Sequence, residues 1–184
     1  LVCSSGAEVC SDATFTCGAK SCTVACSGNN HEAVCRGIAV HGEAASALVV
    51  TVAVAGGQAS QHSGQHCYTN TYWGELPGDN AAASADIRCP TGSGACSVTC
   101  QGSTAANGAG TSYPACTPRG GPDNLCHGMT IDAARNGSAS SVSVTCRGSG
   151  KQMCKGMEID MTGAEFNGTA ALDVSCTGSE AETC

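Results

Sequence analysis

The stretch SVTCRGSGKQMCKGMEID, residues 143–160, decides the fold of this 184-residue chain. It carries two short signatures in tandem. SVTCRG is β-prone and ends in Cys-x-Gly, whereas CKGMEI starts at a cysteine and runs Gly, Met, any residue, Ile. Met157 and Ile159 are two residues apart with Glu158 between them, so a strand here puts apolar side chains on one face and the polar one on the other.

Both signatures recur. The first returns as TVACSG at 23–28, SVTCQG at 97–102 and DVSCTG at 173–178, and the second as CRGIAV at 35–40 and CHGMTI at 126–131. Met129 and Ile131 repeat the alternation, with Thr130 facing out. Taking Cys35, Cys67, Cys96, Cys126, Cys154 and Cys184 as one series gives steps of 32, 29, 30, 28 and 30 residues, a period near thirty. VAVAGG at 52–57 takes the place of the first signature in an early repeat, with Ala55 where cysteine is expected. A unit this small cannot bury a face alone and must stack on its neighbours. The expected fold is therefore all-β: a single disulfide-stapled parallel β-solenoid over residues 1–184 with about five to six rungs, its 25 glycines suiting tight corners. A string of unrelated disulfide knots is the weaker alternative, since knots do not keep strand signatures at this spacing. Stretches at about 57–87 and 103–125 interrupt the pattern as insertions. They hold four of the five prolines and the cluster Tyr68, Tyr72, Trp73 together with Tyr113.

Composition fits stapling. Leu, Ile, Val and Phe number only 5, 4, 13 and 2, too few for an ordinary core of this length. Sixteen cysteines supply what bulk does not, and their even number implies an oxidising, extracellular compartment. The sequence opens on Leu1 with no signal-like apolar segment, so a mature chain whose secretion signal has been removed is expected. A net charge of −7 with eight Lys and Arg gives no basic patch for phosphates, which argues against nucleic acid and anionic membranes. No apolar run is long enough to insert in a bilayer.

CRGSGKQMCKGMEID at 146–160 and CSGNNHEAVCRGIAV at 26–40 resemble the CxGxxxxCxGxxI repeats of large secreted proteins of algae, oomycetes and other protists. The likeness covers about two thirds of the chain, and the 57–87 insertion and Ala55 depart from it. It implies an extracellular surface or filament component of β-helical character.

Short spacings suggest local bridges across corners: Cys3 with Cys10, Cys17 with Cys22, Cys26 with Cys35, Cys89 with Cys96, Cys116 with Cys126, Cys146 with Cys154 and Cys176 with Cys184, leaving Cys67 and Cys100 for a longer loop. Pairing between neighbouring rungs competes with this scheme. The two ends, CSSGAEVC at 3–10 and CTGSEAETC at 176–184, share a phase and show no capping sequence. An uncapped end is an unpaired edge, so head-to-tail self-association into a filament is expected, with loops or glycans covering the ends as the alternative.

Two sequons, Asn136-Gly137-Ser138 and Asn167-Gly168-Thr169, mark expected N-glycosylation. Tyr68, Tyr72 and Trp73 form the candidate ligand-binding platform, for glycans above all, although packing against the repeats or burial at a subunit contact explains them better. His62, His66 and Cys67 have metal-ligating spacing, but a bridged cysteine cannot ligate, and no metal or other cofactor is expected. Asp79, Asp123, Glu158, Asp160 and Asp173 do not form a calcium loop. No nucleophile elbow, zinc-protease or phosphate-loop motif is present, so catalytic residues are not expected and the chain reads as a non-enzyme. Ice binding would need a regular Thr row; on the strands MTI, MEI and IAV the outward residues Thr130, Glu158 and Ala39 form none. The expected function is that of an extracellular, glycosylated structural subunit of a surface filament or matrix, with adhesion or glycan binding through the insertions as the alternative.

Overall fold

A computed structural model describes residues 1–4, 8–28, 34–54, 81–102, 124–133, 141–148, 153–162 and 172–178. Its strands alternate along the chain between two sheets. β1 (Val2–Ser4), β3 (Cys22–Gly28), β5 (Ala47–Val54), β7 (Ala95–Gln101), β9 (Val142–Gly148) and β11 (Leu172–Gly178) form a six-stranded sheet in that order. β2 (Thr14–Thr16), β4 (Ala39–His41), β6 (Asp86–Arg88), β8 (Thr130–Asp132) and β10 (Glu158–Asp160) form a five-stranded one. Every pairing is parallel. Parallel neighbours cannot be joined by a tight hairpin, and here each crossover within one sheet contains a strand of the other. No helix occurs among the described residues.

Alternation sets what faces inward. In the six-stranded sheet Val24, Val50, Val98 and Val144 stand in register and are buried. Beside them runs the column Cys3, Cys26, Val52, Cys100, Cys146 and Cys176. The five-stranded sheet contributes Phe15, Val40, Ile87, Ile131 and Ile159 in one column, and side chains from both sheets belong to one apolar core. Burying a Val, Leu or Ile fully is worth about 1.5–3 kcal/mol, so these columns, not the few aromatics, hold the sheets together.

The corner leading into each short strand has its own construction. Cys10, Cys35, Ala82, Cys126 and Cys154, and two residues later Asp12, Gly37, Ser84, Gly128 and Gly156, have φ between 49° and 67°. The amides of Cys35, Ala82, Cys126 and Cys154 donate to the carbonyls of Val9, Val34, Ala81 and Leu125 in the preceding corner at 2.8–2.9 Å. Those of Asp12, Gly37, Ser84 and Gly128 donate the other way, to Arg36, Ala83, His127 and Lys155, also at 2.8–2.9 Å. Left-handed backbone costs a non-glycine residue about 1–2 kcal/mol, and this two-way ladder is what holds it.

Three expectations are corrected by the register. Cysteine is replaced in β5 by Val52, not Ala55, because Val52 stands between Cys26 and Cys100. An offset of three residues is odd and would have turned the buried Leu48, Val50, Val52 and Val54 outward. Residues 81–87 of the expected 57–87 insertion form, with Arg88, a corner and β6, and Ile87 is fully buried between Val40 and Ile131. The equivalent corner positions are 10, 35, 82, 126 and 154, with unequal spacing, so the constant period does not hold. Cys96 is no corner residue; it lies on β7 beside Leu48 and Val142.

Disulfides join Cys3 to Cys10, Cys17 to Cys22, Cys26 to Cys35, Cys89 to Cys96 and Cys146 to Cys154, as local spacing suggests. The remaining described bridge is a correction: Cys126 is bonded to Cys100, not to Cys116, and Cys100 is thereby not bonded to Cys67. Cys100 and Cys126 occupy the strand and corner positions of Cys26 and Cys35, so register and not sequence proximity selects the partner. Cys176 is also disulfide-bonded. Cys67, Cys116 and Cys184 lie outside the described residues.

Candidate functional site

The two sheets expose chemically different outer faces, and their last strands expose an edge. On the six-stranded sheet the outward positions between the buried columns carry Ala25, Thr51, Thr99, Thr145 and Ser175 in one row, and Thr23, Val49, Ser97, Ser143 and Asp173 in the next. Rows on adjacent parallel strands lie about 4.8 Å apart, and residues i and i+2 about 6.6 Å apart along a strand. The result is a two-dimensional grid of small, mostly hydroxylated side chains. Its third row includes Gln101, Arg147 and Thr177, and the Arg147 guanidinium donates to Gln101 Oε1 at 2.7 Å.

The outer face of the five-stranded sheet is charged. Asp86, Thr130 and Glu158 form one row, and His41, Arg88, Asp132 and Asp160 another. Arg88 lies 3.4 Å from Asp86 and 3.7 Å from Glu43, and Arg36 lies 3.6 Å from Glu8. These pairs are partly or largely exposed and each contributes little to stability. The Thr162 amide donates to Asp160 Oδ1 at 2.8 Å and, with the Thr162 hydroxyl, holds this exposed carboxyl below the usual carboxylate range.

At β11 the inward columns run out. Leu172 and Val174 are 47% and 48% exposed, although their register equivalents Val142 and Val144 are buried. In the other sheet Met157, Ile159 and Met161, on β10 and at its two ends, are only partly buried. Among the described strands, β10 and β11 stand last in their sheets at one end and β1 and β2 at the other. Leu1 and Val2 there are 50% and 70% exposed.

Sulfur is concentrated inside. The Sγ atoms of Cys3, Cys26 and Cys35 lie within 4.8 Å of one another, as do those of Cys100, Cys126 and Cys154, and all six residues are buried. Every one is in a disulfide, so these clusters hold bridged sulfur and not thiolate ligands.

Of the residues singled out from the sequence, the structure brings together the cysteines of each corner and sets Glu158 and Asp160 on the charged face. Asn136, Asn167, Tyr68, Tyr72, Trp73, Tyr113, His62, His66, Asp79 and Asp123 lie outside the described residues. The hydroxyl grid lies on the long strands, so the lack of a Thr row on the short strands MTI, MEI and IAV says nothing of it. Its signal was present in the other signature, where Ser-Val-Thr precedes Cys at 97–99 and again at 143–145. No protein-family profile, curated protein or solved structure matches this chain.

Proposed function

We propose that the two sheets are walls of a disulfide-stapled parallel β-solenoid, one coil per repeat, and that the protein is a secreted structural subunit that stacks head to tail in an extracellular filament or matrix. The observation that carries this reading is the exposed pair Leu172 and Val174, which stand in register with the buried Val142 and Val144. The repeat supplies the cover. Continuing the register by one step sets Val2, Cys3 and Ser4 of a second copy beside Ser175, Cys176 and Thr177, so the interface repeats the contact already made between coils. The disulfides belong to an oxidising environment, in keeping with secretion. In this reading Asn136 and Asn167 carry glycans, which mass spectrometry of their peptides checks. Electron microscopy and sedimentation over a concentration series test the assembly. Rods that lengthen with concentration, and that are lost in Val174→Asp, are expected; wild-type protein that stays monomeric at high concentration overturns the reading. Val174 is an exposed edge residue, so the substitution leaves the lower coils intact.

A second reading, an adhesive one, rests on the hydroxyl grid. The six-stranded sheet carries few charges on its outer face in a chain of net charge −7, and it presents no aromatic side chain there for stacking on sugars. An ordered, uncharged lattice such as ice fits such a face better than a soluble glycan does. Incorporation of labelled protein into a growing ice hemisphere, compared with Thr99→Lys, tests it; equal exclusion of both overturns it.

A further inference from the structure

We propose that each stack of buried bridges is a site of thiol–disulfide exchange, in which a sulfur freed in one repeat attacks the bridge of the next without rearrangement of the backbone. Each triplet of close sulfurs contains one bonded pair and one sulfur from the neighbouring bridge. Cys3, bonded to Cys10, lies within 4.8 Å of both Cys26 and Cys35; Cys154, bonded to Cys146, lies within 4.8 Å of both Cys100 and Cys126. The attacking atom thus has a choice of two adjacent electrophiles.

The products fit the fold. Cys126 and Cys154 occupy equivalent positions in successive corners, joined by the hydrogen bond from the Cys154 amide to the Leu125 carbonyl. Cys100 and Cys146 are register partners on β7 and β9. Adjacent parallel strands run about 4.8 Å apart, inside the range of about 4.4–6.8 Å that a disulfide spans between Cα atoms. Bridges between repeats are therefore isomers of the same fold, not marks of misfolding.

The step balances without a net change of oxidation state. Cys154 loses its proton and its thiolate attacks Cys126 Sγ; the Cys126–Cys154 bond forms, the Cys100–Cys126 bond breaks, and Cys100 leaves as thiolate and takes up a proton. Attack on Cys100 Sγ instead releases Cys126. The thiolate is the attacking species, so the rate rises with pH.

The register also says where exchange stops. Val52 and Ala82 occupy the strand and corner positions between the two stacks, so sulfur cannot pass from the Cys26–Cys35 bridge to the Cys100–Cys126 bridge. Cys96 has Leu48 and Val142 as register neighbours, so the Cys89–Cys96 bridge has no adjacent bridge at its Cys96 end.

The test uses the oxidised chain with one cysteine removed. In Cys146→Ser the free thiol starts at Cys154. After incubation at alkaline pH, alkylation under denaturing conditions and peptide mapping are expected to find the label divided between Cys154 and Cys100 or Cys126, with the matching new bridge. In Cys89→Ser the label stays on Cys96. Label confined to Cys154 in the first variant, or spread as widely in the second, overturns the proposal. Should Cys146→Ser not fold, wild-type protein treated with a limiting dithiol, which reduces one bridge and leaves as its cyclic disulfide, decides in its place. Bridges linking Cys154 to Cys100 or Cys126, or Cys3 to Cys26 or Cys35, are expected there, and none between the two stacks; original bridges and free thiols alone overturn it.

Discussion

The bridged repeats and the repeat built around β5 solve the same packing problem with different chemistry. The strand–corner site holds Cys3 and Cys10, Cys26 and Cys35, Cys100 and Cys126, and Cys146 and Cys154, but Val52 and Ala82 in the middle of the stack. A second site follows the short strands, where Cys17, Gly42, Cys89 and Ala133 donate equivalent hydrogen bonds to the next repeat. Their partners Cys22, Leu48, Cys96 and Val142 stand in register on the long strands. Where both positions of a site are described, cysteines come in pairs or not at all. Where sulfur is missing, Val with Ala or Leu with Gly fills the space, and β5 has four inward apolar side chains, Leu48, Val50, Val52 and Val54, all buried. The pair, not the single cysteine, is the unit of substitution: a lone buried thiol would neither cross-link nor fill the site.

Removing the bridge with the longest described loop breaks this balance furthest. Cys100 and Cys126 are 26 residues apart, and closing such a loop restricts the unfolded chain by about 3–4 kcal/mol. The double variant Cys100→Ala/Cys126→Ala is expected to lose about that much in non-reducing denaturant titrations, against about 2 kcal/mol for Cys17→Ala/Cys22→Ala, whose cysteines are five residues apart. Equal losses from the two would mean that packing of the sulfurs, not loop closure, dominates.

In the repeat without bridges the corresponding weak point is Leu48. It is fully buried, and a Cβ built on Gly42 would come within 2.8 Å of its Cδ2 and 2.7 Å of the Arg88 carbonyl. Glycine here is what makes room for leucine. Leu48→Ala is expected to cost about 3 kcal/mol, in the range of buried Leu to Ala changes, because the strands on either side prevent collapse into the cavity. A loss under about 1 kcal/mol would show that apolar filling is not the substitute for the bridge.

The comparison can be sharpened by restoring the missing pair. At the equivalent sites Cα atoms are 6.0–6.5 Å apart, so Val52→Cys with Ala82→Cys is expected to close a bridge and add about 2 kcal/mol. Thiol titration should find no more free thiol than in the parent. Either single substitution should be less stable than the parent and leave one reactive thiol. The double variant also joins the two sulfur stacks, and exchange should then cross the gap.

Much of this arrangement was legible before any coordinates. The alternation in Ser-Val-Thr-Cys and in Met-x-Ile marks the two kinds of strand, because period two has one meaning when small polar residues separate the apolar ones. The corner bridges follow from short spacing. What could not be read was the repeat that lacks both cysteine and glycine. Residues 82–87, Ala-Ala-Ser-Ala-Asp-Ile, match Cys-Arg-Gly-Ile-Ala-Val at 35–40 only in placing small residues at the corner and Ile87 at the core position of Val40. Without it, Cys67 and Cys96 complete a regular series in the sequence, whereas Cys96 lies on a long strand and the described corners are unevenly spaced. The same gap misplaced the missing cysteine at Ala55, since Val-Ala-Val-Ala offers no marker of register and only the column Val24, Val50, Val98, Val144 supplies one. The candidate edge was half visible: Val174-x-Cys176 repeats the pattern of the buried Val144-x-Cys146, and only the structure shows that Leu172 and Val174 are exposed.

The smallest effect concerns the corner itself. Glycine occupies the second left-handed position at residues 37, 128 and 156, whereas the unbridged repeat has Ser84 there with φ 55°. Its amide donates to the His127 carbonyl at 2.8 Å, and its side chain is exposed, so the backbone is held in place while the Cβ carries the strain. Replacing it by glycine removes about 1–2 kcal/mol of left-handed strain and adds back part of that as unfolded-chain entropy, leaving a net gain of up to about 1 kcal/mol. Ser84→Gly is therefore expected to shift the denaturation midpoint upward without changing the slope. Asp12, which occupies the same position in the first described corner with φ 53°, provides the contrast: its carboxylate reaches the place where a Cβ on Gly37 would sit. Asp12→Gly would remove that side chain along with the strain, so a gain at Ser84 with a smaller gain or a loss at Asp12 would separate the cost of the left-handed backbone from the contribution of what the side chain fills.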